Sequence, residues 1–226
     1  MARSLLTVAA FSALALGAFT LAVNPPAASA QSYSRGGSGG GSGGGSGGSD
    51  GSNKKAEKKP TKRAEFKREW FFYGDNESRW KELQRQQGRT APALKTGAWV
   101  GGKRELAKMK GQIVLIDFWA TWCGPCKAAV PHTNEIMEKY EADRVGVIAV
   151  CCTDGAETMP QVAKATGMKY PTGADTGSAS ANAYGVKWWP FYVLIDRKGV
   201  IRAAGLRPDH VGDAIDALLG EQPAEN

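Results

Sequence analysis

Apolar positions along the 226-residue chain fall into three unlike stretches. Leu5–Val23 is almost wholly apolar, Gln31–Glu69 holds few apolar residues, and from Trp70 they return in short blocks. Two blocks, Gln112–Phe118 (QIVLIDF) and Val145–Cys151 (VGVIAVC), are nearly continuous, the mark of strands covered on both faces. Phe191–Asp196 and Val200–Ala204 flank Arg197-Lys198-Gly199, a turn sequence that predicts a hairpin. A helix is expected from near Gly124 to about Tyr140, bent at Pro131, and another over Ala156–Thr166. Pro208 and Asp209 open a last amphipathic helix, with Val211, Ile215, Leu218 and Leu219 on one face. Strands joined by helices, with a hairpin at the end, predict an α/β fold with a mixed central sheet flanked by helices.

Before these blocks the chain carries appendages. Residues 1–30 read as a signal peptide: Arg3 is the positive end, Asn24-Pro25-Pro26 breaks the apolar run, and Ala28-Ser29-Ala30 is a cleavage site before Gln31. The apolar run also approaches the length of a membrane span, so an uncleaved anchor stays as the other reading. Residues 31–69 form a Gly/Ser-rich and basic linker; Gly36–Ser52 has 11 glycines in 17 residues and cannot bury enough apolar surface to order itself. It predicts a flexible tether of roughly 20–25 Å r.m.s. length. Trp70-Phe71-Phe72-Tyr73 and Trp80 mark an N-terminal extension over 70–89, lying on a domain of residues 90–226.

Charge needs the same division. The net +7 comes from 29 basic and 22 acidic residues and would by itself suggest an anionic partner. Residues 90–226, however, hold 15 of each sign, so the excess lies in the appendages and the domain gives no basis for nucleic-acid binding. The basic run from Lys54 to Arg68 reads as a solvated spacer or as a weak contact with an anionic envelope component. Four cysteines in a chain of this length exclude a disulfide-dense mini-scaffold.

The chemistry lies in Trp122-Cys123-Gly124-Pro125-Cys126-Lys127. A C-x-x-C pair where a strand passes into a helix puts the first sulfur at the helix N-terminus, where free N–H groups and the dipole favour a thiolate. Half of a zinc site is the competing reading, but no second pair at ligand spacing exists and the two histidines are His132 and His210, so no metal is expected. Cys151-Cys152 ends the second buried strand, at the sheet edge that also carries Cys123. These two are accessory thiols if they exchange with the active pair, and otherwise a buried inert cysteine beside an incidental one.

The six-residue motif is the thioredoxin active-site sequence, and the stretch from Ala91 to about Leu219 resembles the exported TlpA/ResA-like branch of that superfamily. Asp117, six residues before Cys123, matches the buried acid of thioredoxins; Pro131 matches their helix proline; Tyr184-Gly185-Val186 followed by Pro190 resembles the cis-proline segment. The resemblance implies a thioredoxin-like fold with an αβ insertion, here in residues 152–183. It implies that Cys123 is the nucleophile and Cys126 the resolving thiol of a redox-active disulfide, with Asp117 moving the proton of Cys126. Trp122, Gly124, Pro125, Trp189 and Pro190 would meet the substrate. ResA-like proteins often carry a glutamate where this chain has Ala129, which leaves Asp117 alone in the proton role. Trp188, Trp189 and Phe191 surround Pro190 as a docking surface or as core, with Trp189 expected to be the most exposed.

These residues together predict an extracytoplasmic reductase of protein disulfides, working without a cofactor. Its Gly124-Pro125 dipeptide is that of reducing thioredoxins. A periplasmic or envelope location is oxidising, so a membrane thiol-electron donor is expected, and the protein is expected to be a monomer. One alternative is a peroxiredoxin-like peroxidase, which expects threonine where Ala120 stands. The other is a tethered protein-binding module with incidental redox activity.

Overall fold

Seven consecutive buried residues, Ile113–Trp119, form the central strand of the sheet, with a second buried strand at Val145–Cys151 beside it. The computed structural model describes residues 63–221; the expected signal peptide and most of the expected linker lie outside the described residues. In chain order the strands are β1 (Thr96–Val100), β2 (Ile113–Trp119), β3 (Val145–Cys151), β4 (Thr172–Asp175), β5 (Phe191–Ile195) and β6 (Ile201–Leu206). The helices are α1 (Glu77–Gln84), α2 (Gly124–Lys139), α3 (Met159–Ala165), α4 (Ala179–Ala183) and α5 (Val211–Leu219).

The sheet runs β1-β4-β3-β2-β5-β6. Strands β2, β3 and β4 are parallel, and β5, β6 and β1 pair antiparallel to their neighbours. This is the mixed, helix-flanked α/β sheet expected from the apolar blocks. The register sets where the connecting loops converge. Trp119 lies opposite Cys151 and Phe118 opposite Phe191, so the loops after β2 and β3 and the segment before β5 all meet at one pole.

Strands β1 and β4 have no counterpart in the apolar pattern. The sequence of β4, Thr-Gly-Ala-Asp, has no apolar run at all. It is held from outside: the Trp99 ring of β1 lies over Gly173, where a Cβ would sit 2.7 Å from the indole. Asp175 at its end accepts hydrogen bonds from Ser180 N–H and Ala181 N–H, both 2.9 Å, and so satisfies the free donors that open α4.

Packed contacts begin before the expected boundary at Trp70, because Ala64 and Phe66 already lie against the core. Phe71 is buried and bridges Leu206, Phe72 N–H donates to Gly205 O at 2.9 Å, and Arg207 N–H donates to Trp70 O at 2.8 Å. Further on, Gly88 and Arg89 exchange hydrogen bonds with Ile201. The outer side of β6 is thereby lined by the extension. At the other end of the described chain, Glu221 forms a paired contact with the buried Arg202 guanidinium at 2.6 and 2.7 Å, which holds the Glu221 carboxyl below its ordinary pKa.

Candidate functional site

The helix α2 starts where β2 ends, and Cys123 is its N-cap: the sulfur accepts a hydrogen bond from Cys126 N–H at 3.1 Å. Pro125 in the first turn has no N–H to leave unsatisfied there. Cys123 and Cys126 are joined in a disulfide. Both sulfur residues are buried, whereas Gly124 and Pro125 are exposed and Trp122 stands out at 54% exposure. The bond therefore lies just beneath an exposed rim of Trp122, Gly124 and Pro125.

Opposite this rim lies the Trp189–Pro190 peptide bond, which is cis. Pro190 directly precedes β5, whose first residue pairs with Phe118, so the cis bond borders the loop that carries Cys123. Trp188 and Trp189 are both half-buried, so Trp189 does not stand out from its neighbour. Phe191 is fully buried against Phe118 and belongs to the core, which removes it from any docking surface.

Asp117 sits in the middle of β2 at 2% exposure. Desolvation pushes its carboxyl up to about 7, opposed by a hydrogen bond from Tyr170 O–H to Oδ2 at 3.1 Å. Oδ1 is buried without a partner, which suits a group that spends much of its time protonated. Tyr170 had no signal in the sequence. It reaches Asp117 because Asp117 lies beside Ala149 in the sheet and Ala149 N–H bonds Pro171 O, the residue after Tyr170. Burial, with the Asp117 charge, drives the Tyr170 phenol upward, so it remains a donor. Buried Thr133 and Tyr192 complete the polar cluster, Thr133 Oγ1 and Tyr192 Oη being 3.4 Å apart. Replacing Tyr170 with Phe removes the donor to Oδ2 and is expected to raise the proton affinity of Asp117 roughly tenfold. A carboxyl carbon-13 titration of Asp117 reads this directly; an unmoved midpoint would show that the hydrogen bond does not set it.

Cys151 is fully buried and Cys152 half-buried, and neither is in a disulfide. Burial first, then the neighbouring Cys152, pushes the Cys151 thiol up to about 12, so it carries negligible thiolate near neutrality. The loop after β3 still touches the redox loop. Thr121 Oγ1 donates to Gly155 O at 3.0 Å, and a Cβ on Gly155 would lie 2.5 Å from that hydroxyl. Ala129 is buried and Lys127 half-buried along α2. Among the described residues no group of three or more His, Cys, Asp or Glu is arranged to hold a metal ion, and no helix is long and apolar enough to cross a membrane.

Comparison with known proteins agrees with this geometry. The Redoxin family matches residues 86–219. The thiol-disulfide oxidoreductase ResA of Bacillus thuringiensis is 30% identical over 154 residues, covering 68% of this chain and 78% of the relative. The thioredoxin-like protein YneN of Bacillus subtilis is 34% identical over 125 residues, covering 54% of this chain and 72% of its own. A Chlorobium tepidum crystal structure described as a DsbE-type thiol:disulfide interchange protein superposes with a TM-score of 0.51 at 30% identity, covering 59% of this chain and 95% of that one. With a C-x-x-C disulfide at the head of α2, a cis-proline across from it and these relatives, the chain belongs to the redoxin family and is a TlpA/ResA-like thiol-disulfide oxidoreductase of the thioredoxin superfamily.

Proposed function

We propose that the chain reduces disulfides of exported proteins, with Cys123 as nucleophile. The observation that carries this is the Cys123–Cys126 bond at a helix N-terminus, set directly beside the exposed Trp122, Gly124 and Pro125, with a buried carboxyl of near-neutral pKa on the preceding strand. In the reduced protein the Cys123 thiolate, favoured by the Cys126 N–H and the α2 dipole, attacks one sulfur of a substrate disulfide. A mixed disulfide forms and the substrate's other sulfur leaves as a thiolate. Asp117 then takes the Cys126 proton, and the Cys126 thiolate attacks the Cys123 sulfur. The second substrate thiol departs, the Cys123–Cys126 bond closes, and two electrons have passed to the substrate. A group with pKa near 7 gives and accepts protons with little driving-force penalty at that pH. Trp122, Gly124, Pro125 and Trp189 form the rim that the substrate meets, with the buried Pro190 behind Trp189.

Several features support the direction and the setting. Gly124-Pro125 is the dipeptide of reducing thioredoxins, whose potential lies near about −270 mV, against about −120 mV for a strong periplasmic oxidant. The signal-like residues 1–30 support export to the periplasm or envelope, where a membrane thiol donor would have to supply electrons to this monomer. The basic residues before Trp70 would give at most a weak envelope contact. The peroxidase alternative finds nothing in its favour at Ala120, which is buried and has no hydroxyl.

Insulin reduction by the full chain, with dithiothreitol as electron source, tests the assignment. The parent is expected to precipitate insulin well above background and Cys123→Ser to fall to background. A measured potential above about −180 mV would overturn the reducing direction.

A further inference from the structure

Three large apolar side chains are exposed among the described residues: Trp122 at 54%, Tyr73 at 50% and Met137 at 37%. Trp122 belongs to the redox motif. Tyr73 belongs to the extension and has no part in the redox chemistry of Cys123, Cys126 and Asp117. Its backbone is also unusual, with φ of 58°, a left-handed conformation that suits Gly or Asn and that a tyrosine adopts at a cost.

The turn that imposes this conformation is firmly built. A Cβ on the following residue, Gly74, would lie 2.2 Å from Arg68 O, so glycine is required there. Arg68 fastens the turn from the other side: Nε donates to Gly74 O, the guanidinium pairs with Glu77 at 2.8 Å, and it lies 5.3 Å over the Trp80 ring. Phe71 and Phe72 anchor the preceding residues on β6.

The position of the turn gives the exposed ring a use. Tyr73 meets the Trp188 ring edge-on at 5.0 Å, and Trp188 meets Phe191 at 5.1 Å. Trp188 is two residues before the cis-proline, and Phe191 is level with Phe118 at the end of β2. Tyr73 is therefore carried at the same pole as the Cys123–Cys126 bond, on the Trp188 side of the cis-proline. An exposed aromatic ring, backed by a second ring and held on a strained but locked turn at the redox pole, is positioned to meet a segment that passes the rim.

We propose that Tyr73 is a docking contact for protein substrates, receiving an apolar and preferably aromatic side chain from the extended segment that flanks the disulfide under attack. The proposal rests on the reading of the chain as a reductant of protein disulfides. Continuity with the redox rim selects this occupant, since a chain held beside Trp189 must run past Trp188 and its neighbours. The edge-on geometry already used between Tyr73 and Trp188 is the one aromatic pairs prefer.

The test uses the pre-reduced full chain and two disulfide-bonded peptides, identical except for phenylalanine or serine beside the cysteines. Single-turnover oxidation, followed by tryptophan fluorescence, gives a preference ratio for the phenylalanine peptide. Tyr73→Asn suits the backbone while deleting the ring. It is expected to cut the ratio at least fivefold, with a thermal midpoint equal to or above the parent's. Tyr73→Phe is expected to keep the ratio. An unchanged ratio in Tyr73→Asn overturns the proposal, as does a lowered midpoint with equal loss on both peptides. A parent chain that reduces neither peptide would overturn the reductase reading and the proposal together, and the insulin assay separates that case from a failure of Tyr73 alone.

Discussion

Replacing Asp117 with Asn is expected to make the protein more stable above neutral pH and slower at the same time. The carboxyl is pushed from an ordinary value near 3.8 to about 7 in the fold, chiefly by burial. Between those two values the folded state holds a proton that the unfolded state has released. Stability tied to this group is therefore complete below about pH 4 and is lost as pH rises through 7. Asparagine carries no such dependence, and Tyr170 can still donate to its oxygen. The stability of the variant relative to the parent is expected to rise by about 3 kcal/mol between pH 5 and pH 8. Urea unfolding of the oxidised proteins at the two pH values measures it, since the joined cysteines do not titrate. Parallel curves for parent and variant would show that Asp117 does not titrate in this range. Disulfide reduction at pH 7 should fall roughly 100-fold in the variant, the usual scale for a lost proton-transfer group.

A second large effect concerns Cys126. Cys126→Ser keeps the Cys123 thiol and removes the group that frees it from the substrate. Multiple turnover is expected to fall by roughly 10³-fold or more. A covalent adduct should build up instead. When the attacked substrate disulfide is intramolecular, the adduct mass is the sum of chain and substrate, because the second substrate sulfur stays attached as a thiol. Peptide mapping should place the new bond on Cys123. Turnover that survives in this variant but is lost when Cys151 and Cys152 are also replaced would mean that one of them resolves the adduct. The burial of Cys151 and its thiol pushed up to about 12 argue against that route.

The contrast between these two residues and Tyr170 shows what a sequence can carry. Strands β2, β3, β5 and β6 were legible because each is covered by neighbours and reads as an apolar block. Strand β1 was not, and β4 came only through the resemblance, inside the insertion of residues 152–183, since four or five residues with glycine and aspartate become strands only by pairing, with Trp99 lying over Gly173. Likewise the cysteines and the residues around the cis bond form local motifs. The hydrogen bond from Tyr170 to Asp117 spans 53 positions and exists only after β4 has crossed to lie beside β3. The αL turn at Tyr73 was hidden for a different reason: tyrosine is not a residue that announces a positive φ.

The lining of β6 by the extension has a consequence for association. An end strand offers a row of unpaired amides and carbonyls on which another chain can build, and proteins protect such rows by covering them. Here Trp70 to Phe72 cover the Gly205–Arg207 end of that row and Gly88 to Arg89 its Ile201 end. A shortened chain that began at residue 90 would keep the cysteine pair and uncover both ends of this row, lengthening the edge on which a second chain could assemble.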